Sequence, residues 1–285
     1  MIYLHTFYLP GESLETKFEM GYHKEFEMSC YSRSGYPFGF FPLKKLDYIN
    51  FTSSVTIFSG ENGSGKSTLL NVIADTIKAN RFAPYNKSNC FNDFVKLCNA
   101  YLNPTPLSKL IITSDSIFDF LLDMRFINEG LKNKREKLFN EYEKLLGESE
   151  EVKLWSTEEY DKFKEVRHTK PDEYVRKRIG KDYIMASNGE SALDLFESRI
   201  DKNMICLLDE PENSLSAIHQ KDLAQYISDS ARFFDCQFII ATHSPFILSI
   251  KGATVYDLDA YPVCVKKWTD LNSIKEYSKL FKDIK

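Results

Sequence analysis

The sequence predicts an α/β domain on a mostly parallel sheet, and three observations lead there. Short apolar runs rich in β-branched residues recur along the chain. Stretches of helical periodicity follow them. The pattern holds through 285 residues with no internal repeat and no low-complexity linker. At roughly 150 residues per domain, this length suits one large domain or two modest ones. The expected organisation is a single domain over residues 1–285, with a mostly helical insertion over residues 85–185.

The elements follow in order. Residues 1–50 are rich in aromatics and turn formers, with Gly35-Tyr36-Pro37-Phe38-Gly39-Phe40-Phe41-Pro42 at their centre. Ser54–Phe58 reads as a β-branched strand. It runs into a glycine-rich stretch, and Thr68–Ala79 then places Leu69, Leu70, Ile73 and Ile77 at helical spacing. Leu110–Thr113 reads as a strand. Ile117–Leu146 reads as helix with a pause at Gly130, and Leu131, Leu138, Tyr142 and Leu145 share one face. Mixed charges from Lys132 to Glu165 mark a solvated surface. Met204–Leu208 and Phe238–Thr242 are apolar strands around a helix over Ser216–Phe233, and Ala253–Leu258 with Pro262–Trp268 forms a candidate hairpin.

Composition narrows the class. Hydrophobic residues make up 43% and charged residues 27%, which excludes a largely disordered chain. The longest apolar run, around Cys236–Ile250, is broken by His243 and Pro245, so no membrane insertion is expected. The N-terminus shows no basic region followed by an apolar stretch, and a cytoplasmic protein is expected. A formal net charge of −4 argues against coating nucleic acid by bulk charge and leaves a local basic groove open. The six cysteines include no CxxC pair, which suits reduced packing residues rather than a zinc site.

Two stretches carry chemistry. Gly60-Glu61-Asn62-Gly63-Ser64-Gly65-Lys66-Ser67-Thr68 matches G-x-x-x-x-G-K-[ST] between a strand and a helix. Small residues let backbone N–H groups converge on phosphate oxygens, so Gly60, Asn62, Gly63, Ser64, Gly65 and Thr68 join the binding loop. Lys66 should reach the β- and γ-phosphates of ATP, and the Ser67 hydroxyl should hold Mg²⁺. The second stretch, Met204–Leu208, ends in Asp209-Glu210. Asp209 would hold the water shell of Mg²⁺. Glu210 would sit beside the γ-phosphate and accept a proton from attacking water.

Ala186-Ser187-Asn188-Gly189-Glu190-Ser191 resembles the ABC signature, with Asn188 where glycine is usual and Glu190 where glutamine is common. Ala241-Thr242-His243-Ser244-Pro245 resembles the switch-histidine loop. In this order with the phosphate loop and the Asp-Glu strand, residues 50–250 resemble ABC-type ATPases. FSGENGSGKSTLLNVIA, LLDEPENSLS and FIIATHSPFIL are most similar to the soluble SMC/RecF-like branch, including small bacterial AAA-type ATPases. The resemblance implies a P-loop NTPase fold with an ABC-ATPase-like head and a helical insertion between P-loop and signature. It implies hydrolysis of ATP with Lys66, Glu210 and His243 as the catalytic set. It also implies an ATP-dependent head-to-tail homodimer in which Ser187 and Gly189 contact the γ-phosphate across subunits. The same analogy makes Asn213–Ser216 the loop after the Asp-Glu pair, with Ser216 replacing a frequent aspartate.

The family's glutamine between P-loop and signature is missing, since the chain has only Gln220, Gln225 and Gln237. Ser114 and Asp115 occupy that place in the order. Asp115 suits either a metal-bound water or a helix N-cap. Tyr36, Phe38 and Phe41 are candidates for adenine stacking or for the core. Arg167, His168, Lys170, Arg176, Lys177, Arg178 and Lys181 suit nucleic-acid phosphates or pairing with acids. The leading expectation is an ATPase acting on an unidentified macromolecular partner, with DNA or an associated nuclease as candidates. The alternatives are the nucleotide-binding subunit of a membrane transporter and an ATP-binding switch with little hydrolysis.

Overall fold

A computed structural model describes residues 1–14, 36–147, 156–179 and 188–282. The elements are β1 (Leu4–Tyr8), α1 (Phe40–Leu43), β2 (Tyr48–Asn50), β3 (Val55–Ser59), α2 (Lys66–Thr76), β4 (Asn80–Arg81), α3 (Phe91–Leu97), β5 (Asn99–Leu102), β6 (Ser108–Thr113) and α4 (Ser114–Gly147). There follow α5 (Thr157–His168), α6 (Pro171–Ile179), α7 (Asn188–Arg199), β7 (Met204–Asp209), α8 (Ala217–Phe233), β8 (Gln237–Ala241), α9 (Pro245–Leu248), β9 (Thr254–Asp257), β10 (Cys264–Lys266) and α10 (Asn272–Lys282). Contacts divide the chain into one unit of Met1–Asp119 with Asn188–Lys285 and a second of Phe120–Ser187.

The first unit is built on a seven-stranded sheet of order β10-β9-β3-β8-β7-β6-β4. Its strands are parallel except β10, which pairs antiparallel with β9 (Cys264 opposite Asp257). This is the mixed α/β architecture expected from the sequence, and the predicted hairpin is the β9–β10 pair. Every residue of β3, β7 and β8 is buried. A parallel sheet covered on both faces reads as continuous apolar runs, which is why these strands are visible in sequence. Helix α2 covers the sheet with Leu69, Leu70, Val72 and Ile73, none of them exposed. Burying each such side chain contributes about 1.5–3 kcal/mol, enough to fix the helix that follows the glycine loop.

A second, antiparallel sheet of order β2-β1-β5 stands in the same unit. It meets β8 through Gln237, which is fully buried: its Oε1 accepts from the Tyr3 and Leu4 N–H groups, both at 2.8 Å, and its Nε2 donates to the Leu4 carbonyl at 2.9 Å.

In the second unit, Tyr142, Val166, Tyr174 and Val175 form a small core, with Leu138, Phe139 and Leu145 against it. The Tyr142 hydroxyl donates to the Thr169 carbonyl at 2.8 Å. Helix α4 runs for 34 residues straight through Gly130, where the sequence predicts a pause. A helical glycine costs about 1 kcal/mol, which a helix of this length absorbs.

Candidate nucleotide site

The parallel register decides where the loops go. Thr113 of β6 is opposite Asp209 of β7, Asp209 is opposite Ala241 of β8, and Ala241 is opposite Phe58 of β3. The glycine loop after β3, the acidic loop after β7 and the histidine loop after β8 therefore leave the same edge of the sheet. In open parallel sheets, ligands bind at that carboxyl edge.

The glycine loop is shaped around a helix start. Gly65 is the N-cap of α2 with φ 96°, a left-handed conformation that suits glycine, and no side chain caps the first turn. A Cβ here would also meet Phe40 Cε1 at 2.3 Å. The leading N–H groups of α2 thus keep their donors for an anion, favoured further by the positive end of the helix. Lys66 is only 4% exposed, and its Nζ donates to the carbonyls of Gly60 (2.8 Å) and Glu61 (3.2 Å). Burial pulls the ammonium below the usual lysine range, while Glu210, Asp259, Asp209 and Glu212 push it back up.

Ser67 Oγ donates to Asp209 Oδ1 at 2.9 Å. The Asp209 carboxyl is pushed up to about 6, chiefly by burial and further by the charges of Glu210 and Glu212, against the opposing Ser67 bond and Lys66. A divalent cation would relieve that crowding of negative charge, so the residues fit Mg²⁺. Among the described residues no cluster of three or more His, Cys, Asp or Glu side chains could hold a metal ion. Mg²⁺ is commonly held by one or two protein oxygens with phosphates and waters, which Ser67 and Asp209 can supply.

The raised Asp209 pKa has a consequence for stability. Because the folded value lies above the unfolded one, its contribution is present at low pH and is lost as pH rises through about 6. Asp209→Asn should therefore stabilise the nucleotide-free protein more at pH 8 than at pH 5, by about 1 kcal/mol. Urea unfolding of both proteins at both pH values checks this, and an equal difference at the two pH values would overturn it.

Glu210 has φ 47°, a left-handed conformation uncommon outside glycine. It is held there by its N–H on the Ala241 carbonyl at 2.8 Å and by the Asn213 N–H on its own carbonyl at 3.1 Å. Its Oε2 accepts from Asn213 Nδ2 at 3.0 Å, and its Oε1 lies 3.8 Å from His243 Nε2. That ring nitrogen is shielded and has no hydrogen-bond partner among the described residues.

The structure brings together Gly60, Asn62, Gly63, Ser64, Gly65, Lys66, Ser67 and Thr68 on one loop and helix start, facing the edge that carries Asp209, Glu210 and His243. Ser187 lies outside the described residues, and Gly189 lies in the first turn of α7. Asp115 is exposed in the first turn of α4, two residues beyond Thr113; there Thr113 Oγ1 accepts the Ser116 N–H at 3.3 Å. Phe41 is a core residue and Phe38 packs edge-on against Phe94, whereas the Tyr36 hydroxyl bonds Thr68 Oγ1 on the glycine-loop helix. Arg178 pairs with Glu165 at 2.7 Å, and Lys177 with Glu173 at 3.4 Å, so part of the basic run is spent on acids of its own unit. Lys181 is outside the described residues.

Sequence reasoning missed four supports. Phe40 presses on Gly65. Asp259, in the turn between β9 and β10, accepts the Glu61 N–H at 2.8 Å. Asn71 donates to the Ser67 carbonyl at 2.7 Å and accepts from Arg81 at 2.7 Å. Glu212 accepts from the His243 N–H at 2.6 Å. Only Asn71 carried a usable signal, a polar residue on the otherwise apolar face of α2.

Strand, glycine loop, helix and acidic strand end stand together on a mixed α/β fold with a mostly parallel sheet. No protein-family model matches the chain, and no curated protein matches it. Among solved structures it is similar to a metal-chelate type ABC transporter in an inward-facing conformation, at 12% identity and TM-score 0.40 over 99% of this chain and 90% of that one. It is similar to the SMC head domain from Thermotoga maritima at 14% identity and TM-score 0.37, covering 93% and 99%. A nucleotide-free ATP-binding cassette from an ABC transporter is similar at 16% identity and TM-score 0.39, covering 98% and 96%. Among the described residues no helix is long and apolar enough to cross a membrane.

Proposed function

We propose that the chain binds ATP with Mg²⁺ and hydrolyses it to ADP and phosphate, in the manner of ABC-type ATPases of the SMC/RecF-like branch. The observation that carries this reading is the Ser67–Asp209 hydrogen bond. It joins residues 142 positions apart at 2.9 Å. The buried Lys66 amine feels the charge of Asp209, and Glu210 follows Asp209 directly in the chain. Lys66 would exchange its loop carbonyls for the β- and γ-phosphates, and the free N–H groups of α2 would take further phosphate oxygens. Ser67 and Asp209 would hold Mg²⁺, which when bound neutralises phosphate charge. Glu210 would accept the proton of the attacking water, and His243 Nε2 would donate to or accept from groups at the γ-phosphate position.

Asp115 would reach the hydration shell of the metal in place of the missing glutamine. The structure gives the cap of α4 to Thr113, whose Oγ1 accepts the Ser116 N–H, and leaves Asp115 exposed in the first turn, so without a metal role Asp115→Asn predicts an unchanged protein. A metal role predicts a higher Mg²⁺ concentration for half-maximal turnover, and equal Mg²⁺ dependence in variant and wild type overturns it.

Ser187 and Gly189 would complete the site of a second copy, giving two identical composite sites by two-fold symmetry. ATP held between subunits stabilises the pair by linkage. With ATP, Glu210→Gln should scatter light as a dimer, and the nucleotide-free protein as a monomer. A monomer at saturating ATP overturns dimerisation, and absence of phosphate release from wild type overturns hydrolysis. Work on a macromolecular partner, DNA or an associated nuclease, extends the same reading. Co-purification with a membrane protein would favour a transporter cassette in its place.

A further inference from the structure

The loop between β8 and α9 spans only Thr242–Ser244; the Thr242 N–H still donates to the Phe58 carbonyl of β3 at 3.3 Å, whereas the His243 and Ser244 N–H groups need partners outside sheet and helix. The His243 N–H donates to Glu212 Oε1 at 2.6 Å. The Ser244 N–H is shared between the same Glu212 oxygen at 3.1 Å and Thr242 Oγ1 at 2.9 Å. The Ser244 hydroxyl in turn caps α9 by accepting the Ile247 N–H and donates to Gln220 Oε1 at 2.9 Å. One carboxylate oxygen therefore ties the loop after β7 to the loop after β8.

We propose that Glu212 is a positioning residue: by gripping the His243 and Ser244 amides it sets the distance between the His243 imidazole and Glu210. Both partners are already aimed. Glu210 Oε2 is held by Asn213 Nδ2 at 3.0 Å, which leaves Oε1 on the histidine side, 3.8 Å from Nε2. Each end of that gap hangs from a short loop. The Glu210 end is fixed to β8 by its N–H on the Ala241 carbonyl. On the His243 side, the N–H is gripped by Glu212. Glu212 acts here through reach rather than through contact with reacting atoms.

This inference rests on the ATPase reading for its consequence and on geometry for its cause, and the two can be tested apart. Three variants of the full chain separate reach from charge. Glu212→Gln keeps the acceptor oxygen at full reach without the charge; Glu212→Asp keeps the charge one methylene short; Glu212→Ala removes both. In nucleotide-free protein, backbone hydrogen–deuterium exchange of the segment containing His243 and Ser244 should be faster in the Ala and Asp variants and unchanged in the Gln variant. In steady-state hydrolysis, the Ala and Asp variants should lose about tenfold in kcat with KM for ATP within about twofold, as for loss of a partner that orients a functional side chain. The Gln variant should stay within about twofold of wild type in both. Unchanged exchange in both the Ala and Asp variants overturns the clamp. A Gln variant as slow as the Ala variant overturns positioning by reach and assigns the effect to charge. Should the Ala variant fail to fold, the contrast between Asp and Gln decides. Should wild type release no phosphate, the ATPase reading fails, and the exchange data alone decide the clamp.

Discussion

Replacing Glu210 with glutamine should cut ATP turnover by about 10²–10⁴-fold, the usual cost of one acid–base group, while ATP affinity stays near that of wild type. The geometry makes the substitution informative. Glu210 is locked from both sides of its backbone, by the Ala241 carbonyl and the Asn213 N–H, in a left-handed conformation that an unsupported glutamate would leave. Glutamine has the same shape and the same backbone demands, so the loop should not move. It can present its amide oxygen to Asn213 Nδ2 as Glu210 does. What is removed is the negative charge and with it the capacity to take a proton. Lys66→Ala should fail differently, because it deletes the cation among four carboxylates and so weakens ATP binding itself. Phosphate release at saturating ATP and equilibrium binding of ATP measure the two effects separately. Unchanged turnover in Glu210→Gln would remove the residue from catalysis.

The parts of this site that sequence makes legible are those in which neighbours in space are neighbours in the chain. Gly60 to Thr68 is a strand end, a turn and a helix start in nine consecutive residues, and its spacing states its geometry. The strands behind it are legible because burial on both faces leaves unbroken apolar runs. The small sheet of β2, β1 and β5 is different. Its strands are short and partly exposed, with patterns of a kind that loops share, and β1 pairs with β5 across some ninety residues of chain. Glu212 was visible as a residue of LLDEPENSLS, yet nothing local says that its oxygen belongs to amides thirty-one and thirty-two positions away. Phe40 on Gly65 and Asp259 on Glu61 are equally non-local. The glutamine expected between P-loop and signature has no counterpart, and Gln237, the buried one, serves the fold.

Gln237→Leu should be among the most destabilising single substitutions in the first unit. Leucine fits the apolar surroundings of β8 in size, so the cost is polar. The substitution strands the Tyr3 N–H, the Leu4 N–H and the Leu4 carbonyl, all meeting a side chain with no solvent exposure. Each buried group left unpaired costs about 1–3 kcal/mol, so a loss of about 3–9 kcal/mol is expected. Set against the typical total of about 5–15 kcal/mol, this is a large fraction of the stability of a domain. The urea midpoint should fall steeply, and amide exchange should quicken in β1, which Gln237 holds to the main sheet. Gln237→Glu refines the test. A protonated carboxyl can still accept from the two N–H groups and donate to the Leu4 carbonyl, whereas the ionised form cannot donate and buries a charge. Its folded pKa should thus lie above its unfolded one, so the variant should approach wild type at low pH and lose stability as pH rises. The leucine variant should show no such added pH dependence. A leucine variant with the wild-type midpoint would mean that the three backbone groups find other partners and that β1 does not depend on Gln237 for its place beside apolar neighbours such as those of Leu4 and Phe7.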